Sequence, residues 1–220
     1  IAVQFLTRLP TPRITVSKEK FAQSFGWFPA VGFIVGIAVS AAAWAGAQVS
    51  PAFGAIVGLA IWVAITGALH LDGLGDVADA AGAAHKGHAR LQSILADPHI
   101  GSFGVVSITL QLLTKFVLLE AAITRDLWMA LLAIPFAARM GPLVWAKTLP
   151  SLHDGLGHQF RDSVNWWQIA AWSIVGIGFC TSAASLFVAP LLVFAWAYWL
   201  RRRIGGISGD GHGAGIELME

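Results

Sequence analysis

The 220 residues are 56% apolar by the AVILMFWYC set and only 12% Asp, Glu, Lys and Arg, with a mean hydropathy of +0.70; a soluble domain carries about 25% charge. That little charge does not cover a water-soluble globule, and high apolar content with a net charge of +2 excludes disorder. Fourteen basic against twelve acidic residues is no nucleic-acid signal, and a single cysteine, Cys180, excludes an intrachain disulfide or a cysteine-rich metal site.

The expected fold is an all-α polytopic membrane helical bundle, one catalytic domain over residues 1–220. Ile1–Lys20 lacks the apolar core and cleavage site of a secretory signal. The chain starts without Met and stops at Glu220 inside a helical pattern, which predicts a longer natural protein. Phe25–Val49, Pro51–Leu71, Gly101–Ile123, Leu127–Ala146 and Trp166–Leu200 are long and apolar, and a bilayer core needs about 20 helical residues. The last stretch has 35 residues and would run about 52 Å as one helix. It therefore divides near Ser185–Pro190, giving about six spans. Gly32/Gly36 and Gly54/Gly58 have the small-xxx-small spacing of close helix packing, which also arises by chance in Gly/Ala-rich helices.

Loop charges set the orientation. Arg8, Arg13, Lys18, Lys20, Lys86, Arg90, Lys147, Arg161 and Arg201–Arg203 fall on one side, and the other side has only Arg125. The basic side is cytoplasmic, with both termini of this chain there and the protein in the cell inner membrane. Ten of twelve acids share that side, Glu217 and Glu220 among them, leaving Glu120 and Asp126 near the other. Transporters place ionisable groups at mid-membrane; polar chemistry at one interface predicts an enzyme with cytoplasmic active-site loops.

The strongest motif is His70-Leu71-Asp72-Gly73-Leu74-Gly75-Asp76-Val77-Ala78-Asp79. On a helix the three aspartates fall within about 60° of one another, and like charges at this spacing repel. Hard oxygen donors at this density suit Mg2+ or Mn2+ with substrate phosphate, so Asp72, Asp76 and Asp79 are candidate metal ligands. The other reading is a solvated acidic face neutralised by Lys86 and Arg90. Gly73 and Gly75 leave room for a ligand at the backbone, and His70 faces away from the aspartates.

Further on, Asp97-Pro98 ends a short amphipathic helix, and Gly101 and Gly104 open a span whose amides could meet an anion. Arg90 is placed to clamp a phosphate, or is ordinary loop charge. Lys115 and Glu120 neutralise each other. Arg139, inside a span, needs a phosphate or an aspartate as partner, or snorkels to the interface. His153 and His158 lack the partners of a zinc site, and Asp154 sits at a turn signal where a catalytic role is open. Gly205 to Gly215 holds six glycines in eleven residues. Gly205, Gly206 and Gly209 belong either to a loop wrapping phosphates through backbone N–H groups or to a flexible linker.

With these motifs in view, the sequence resembles the cobalamin synthase family, adenosylcobinamide-GDP ribazoletransferases. The residues that carry the resemblance are Phe5-Leu6-Thr7-Arg8-Leu9-Pro10, the His70–Asp79 motif, Asp97–Gly104 and Gly205-Gly206-Ile207-Ser208-Gly209-Asp210. Departures are Gly75 and Ala80 in the acidic motif and Gly211-His212-Gly213 after the last aspartate. The resemblance implies a magnesium-dependent inner-membrane enzyme that joins adenosylcobinamide-GDP to α-ribazole, or its 5′-phosphate, releasing GMP. It implies metal at Asp72, Asp76 and Asp79, and a catalytic base among Asp97, Asp154 and Asp210. The implied partners are those two substrates, the lipid bilayer and other corrinoid-assembly enzymes. A CDP-alcohol phosphotransferase, a cation transporter and a non-catalytic scaffold are the rival readings.

Overall fold

The computed structural model describes residues 1–12, 16–83, 99–152, 156–180 and 183–220. Arg13, Lys86, Arg90, Asp97, His153 and Asp154 lie outside the described residues, as does the side chain of His158.

The described elements are helical, in the order α1 (Ala2–Leu6), α2 (Lys18–Ser24), α3 (Phe28–Ala47), α4 (Pro51–Thr66), α5 (Leu69–Ala83), α6 (Ser102–Thr124), α7 (Trp128–Ala138), α8 (Met140–Thr148), α9 (Leu156–Ser163), α10 (Trp166–Cys180), α11 (Ala189–Arg203) and α12 (Gly209–Met219). Caps are written in the sequence. Ser50 accepts the Phe53 N–H ahead of Pro51 in α4, and Ser208 accepts the Gly211 N–H in α12. The expected division of the last apolar stretch is present: a 3-10 turn over Ala184–Val188 separates α10 from α11.

By length and composition, three segments can cross a membrane: Lys18–Ala47, α6, and Trp128–Thr148. A fourth crossing is α4 with α5, a pair bent by 84°. Of the other two expected spans, α10 is apolar and 15 residues long and α11 is also 15 residues. The span expected as one helix over Leu127–Ala146 breaks at Arg139, between α7 and α8. Pro142 explains the break, because it has no N–H for the Ala138 carbonyl.

The bend between α4 and α5 is local chemistry. Gly67 and Ala68 both take left-handed backbone angles, φ +62° and +58°. The Arg8 N–H donates to the Ile65 carbonyl at 2.7 Å, satisfying a free group at the end of α4. The Arg8 side chain lies over Gly67, where a Cβ would fall 2.7 Å from Arg8 Cγ. The N-terminal signature thus serves the hinge.

Small residues set the packing. A Cβ at Gly32 would fall 2.5 Å from Phe136 Cα on α7, and one at Gly54 would fall 2.7 Å from the Ala43 carbonyl oxygen on α3. The small-xxx-small pairs are therefore packing contacts. Val35, Val39, Leu59, Trp62, Leu119 and Leu131 form a core between α3, α4, α6 and α7. The α4–α5 pair follows α6: Leu59 and Trp62 pack with Leu119 and Ile123, and Asp79 reaches the first residues of α6. The acidic stripe therefore stands at the N-terminal end of a 23-residue helix long enough to cross a bilayer.

Candidate active site

Asp72 is exposed on α5, and Asp76 and Asp79 are partly buried on the same stripe. α12 packs along α5. At Gly73 a Cβ would fall 2.8 Å from the Asp210 carbonyl oxygen, so only glycine admits this approach. That approach brings a fourth carboxylate to the stripe: the charge of Asp76 interacts with those of Asp210, Asp72 and Asp79. The site is built from two helices, with three acids on one and a fourth on the other.

Asp79 is committed differently. Its Oδ2 accepts the Gly101 N–H at 2.7 Å and its Oδ1 accepts the Gly104 N–H at 3.0 Å. The amides at the start of α6 do meet an anion, and it is the chain's own carboxylate. The space expected beside Gly75 is also taken, since a Cβ there would meet Ile108 Cδ1 at 3.1 Å. Gly73 and Gly75 bring helices together and do not open the backbone to a ligand.

His70 lies on the opposite face, 2% exposed, as its position relative to the aspartates requires. His212, two residues from Asp210, sits edge-on to Phe25 with ring centroids 5.4 Å apart and lies 6.1 Å from Trp145. Its Nδ1 is buried with no hydrogen-bond partner among the described residues. Burial holds this imidazole down to about 3, so it is neutral at neutral pH.

The whole chain, residues 1–220, matches the family model described as cobalamin-5-phosphate synthase. The chain belongs to that family. It is 54% identical over 224 residues to the adenosylcobinamide-GDP ribazoletransferase of Novosphingobium aromaticivorans, covering 100% of this chain and 91% of the relative. The protein of the same name from Thiobacillus denitrificans is 44% identical over 100% of this chain and 90% of its own length. That from Brevibacillus brevis is 31% identical over 100% and 92%. No solved structure matches.

In this member of the cobalamin-5-phosphate synthase family, several site residues stand elsewhere than expected. Arg139 is 0% exposed and its guanidinium pairs with Glu220 at 2.6 Å. A buried cation needed a carboxylate, but the partner is neither an aspartate of the stripe nor a surface where phosphate docks. Lys115 pairs with Glu217 and Glu220 rather than with Glu120. Glu217 and Glu220 are thus buried inside the bundle and do not stand with the interfacial acids.

The glycine tail is ordered. Ile207 and Ser151 form a parallel bridge, with the Ile207 N–H donating to the Pro150 carbonyl at 2.9 Å. Gly205 is the turn position at φ +95°, Gly206 is buried against Pro150, and α12 begins at Gly209. Gly209 has open space beside it. A glycine-rich run reads as loop, and the available contrary signal was Ser208 as an N-cap ahead of it. Asp72, Asp76 and Asp210 are the carboxylates that could hold Mg2+, which takes hard oxygen donors.

Proposed function

We propose that this chain is an adenosylcobinamide-GDP ribazoletransferase working at the cytoplasmic face of the cell inner membrane. The observation that carries the reading is the family match over all 220 residues. The four carboxylates at the α5–α12 contact, at one end of α6, support it.

In the reaction, a hydroxyl oxygen of α-ribazole, or of its 5′-phosphate, forms a bond to the phosphorus on the cobinamide side of the pyrophosphate. The anhydride bond breaks, GMP leaves, and the hydroxyl proton passes to a carboxylate, for which Asp97 and Asp154 are the candidates. Asp72, Asp76 and Asp210 would hold Mg2+, which when bound neutralises charge on the pyrophosphate. Asp79 holds the start of α6 beside them. Phosphoryl transfer of this kind depends on positioning and charge neutralisation more than on covalent help from the protein, which suits a site made of carboxylates on packed helices.

A transporter reading would use the ionisable groups inside the bundle. Lys115, Arg139, Glu217 and Glu220 are closed on one another in ion pairs, which disfavours a transit path. A CDP-alcohol phosphotransferase would release CMP and ignore a corrinoid. The test is the purified chain in lipid with adenosylcobinamide-GDP, α-ribazole and Mg2+. GMP and a joined corrinoid product are expected; no nucleotide release, with or without metal, overturns the reading.

A further inference from the structure

Lys115, in the interior of α6, is 4% exposed. Its ammonium lies 2.6 Å from Glu217 Oε1 and 3.0 Å from Glu220 Oε2. Arg139, at the α7–α8 break, places Nη1 2.6 Å from the other Glu220 oxygen and donates to the Pro135 carbonyl at 2.9 Å. Gln111, one turn before Lys115, donates to the Glu217 carbonyl oxygen at 2.5 Å. The Lys115 ammonium also lies 4.4 Å from the centroid of the Trp62 ring on α4. Two cations and two anions therefore form a neutral set where water does not solvate them. Such groups persist inside a bilayer only when paired.

His70 adds a third donor: its ligand atom and those of Glu217 and Glu220 all lie within 4.8 Å of one another. Both carboxylates are already neutralised by fixed cations, so a divalent ion would leave buried net positive charge. The set is not a cation site; its geometry acts on α12. Both glutamates end that helix or follow it, and Asp210 is its second residue. Asp210 and Glu217 are seven residues apart, two turns on the same face and about 10 Å along the axis. A one-residue slip would move α12 by about 1.5 Å and turn it by about 100°, taking Asp210 off the stripe.

We infer that Lys115 and Arg139 are positioning residues, which through Glu217 and Glu220 fix the depth and rotation of α12 and so place Asp210 beside Asp72 and Asp76. This rests on the reading of Asp210 as a metal ligand. Groups that orient metal ligands typically cost about 10–100-fold in metal affinity when removed.

The experiment measures the Mg2+ concentration that half-saturates the ion's rise in melting temperature, together with that for half-maximal GMP release and kcat at saturating Mg2+, for the full chain in lipid. Lys115→Met raises the half-saturating Mg2+ by about 10–100-fold with a smaller change in kcat. Lys115→Arg keeps it near the parent value, and the exchanged pair Lys115→Glu with Glu217→Lys brings it most of the way back. Should Lys115→Met not fold, Glu217→Gln, which keeps its hydrogen-bonding shape, is measured in its place with the same expected shift. Lower thermal stability with unchanged Mg2+ dependence overturns the inference. Asp210→Asn is run in parallel. If it leaves Mg2+ dependence unchanged, the metal reading itself fails; if it shifts while Lys115→Met and Glu217→Gln do not, only the positioning role fails.

Discussion

Asp79 caps a helix to which it does not belong: its Oδ2 accepts the N–H of Gly101 at 2.7 Å, across a gap of 22 residues. With Oδ1 on the Gly104 N–H, the carboxylate satisfies two of the free donors at the start of α6. Losing such a cap costs about 1–2 kcal/mol. Asp79→Ala is expected to lower thermal stability by that order, while Asp76→Ala lowers activity with little loss of stability. Thermal melts and GMP release on both variants check the contrast.

The close approach of α12 to α5 depends on Gly73. An added methyl would stand 2.8 Å from the Asp210 carbonyl, a backbone atom that yields only if the helix moves. Overpacking of this kind costs about 1–3 kcal/mol. Gly73→Ala should therefore lose both stability and activity. Gly209→Ala meets nothing within 4 Å and should keep the fold, gaining a few tenths of a kcal/mol at most, roughly, as a helix residue. A folded but inactive Gly209→Ala protein would show that substrate approaches the backbone there.

His212 gives a pH dependence whose sign is fixed by its burial. Its folded-state pKa is about 3 against an ordinary 6.5, so between those values the unfolded chain binds a proton that the folded chain does not. Its contribution to stability is fully present above about 6.5 and is lost as the pH falls below it. His212→Phe is expected to flatten the fall in melting temperature between pH 6.5 and pH 4. Parallel curves for the two proteins would contradict this account of the imidazole.

Mg2+ should stabilise the chain through Asp72, Asp76 and Asp210, since a ligand bound only by the folded state raises its melting temperature. Mg2+ is expected to raise the melting temperature of the parent protein, EDTA to reverse the rise, and Asp76→Asn to abolish it. Melting curves with and without the ion decide this.

Much of the site was legible in one segment. The spacing of Asp72, Asp76 and Asp79 fixes their shared face, and His70 falls opposite by the same periodicity. The division of the last apolar stretch followed from length alone. What stayed hidden is long-range or backbone-specific. Lys115 meets Glu220 across 105 residues, and no local pattern selects that carboxylate over Glu120, five positions away. The available signal was that a lysine inside a span requires an acid, and two acids stood unassigned near the end of the chain. The 84° bend turns on Ala68 in a left-handed conformation, which an alanine does not announce. The glycines after Arg203 read as loop because helix propensity disfavours them, whereas packing against His70 and Trp145 outweighs propensity in α12.

The most direct measurement is nucleotide release from adenosylcobinamide-GDP and α-ribazole as Mg2+ is titrated, comparing the parent chain with Asp76→Asn, both verified as folded. GMP release that rises with Mg2+ in the parent and is lost in the variant is the expected result. Release that persists in EDTA, or that Asp76→Asn leaves untouched, would contradict a carboxylate-held ion at the α5–α12 contact.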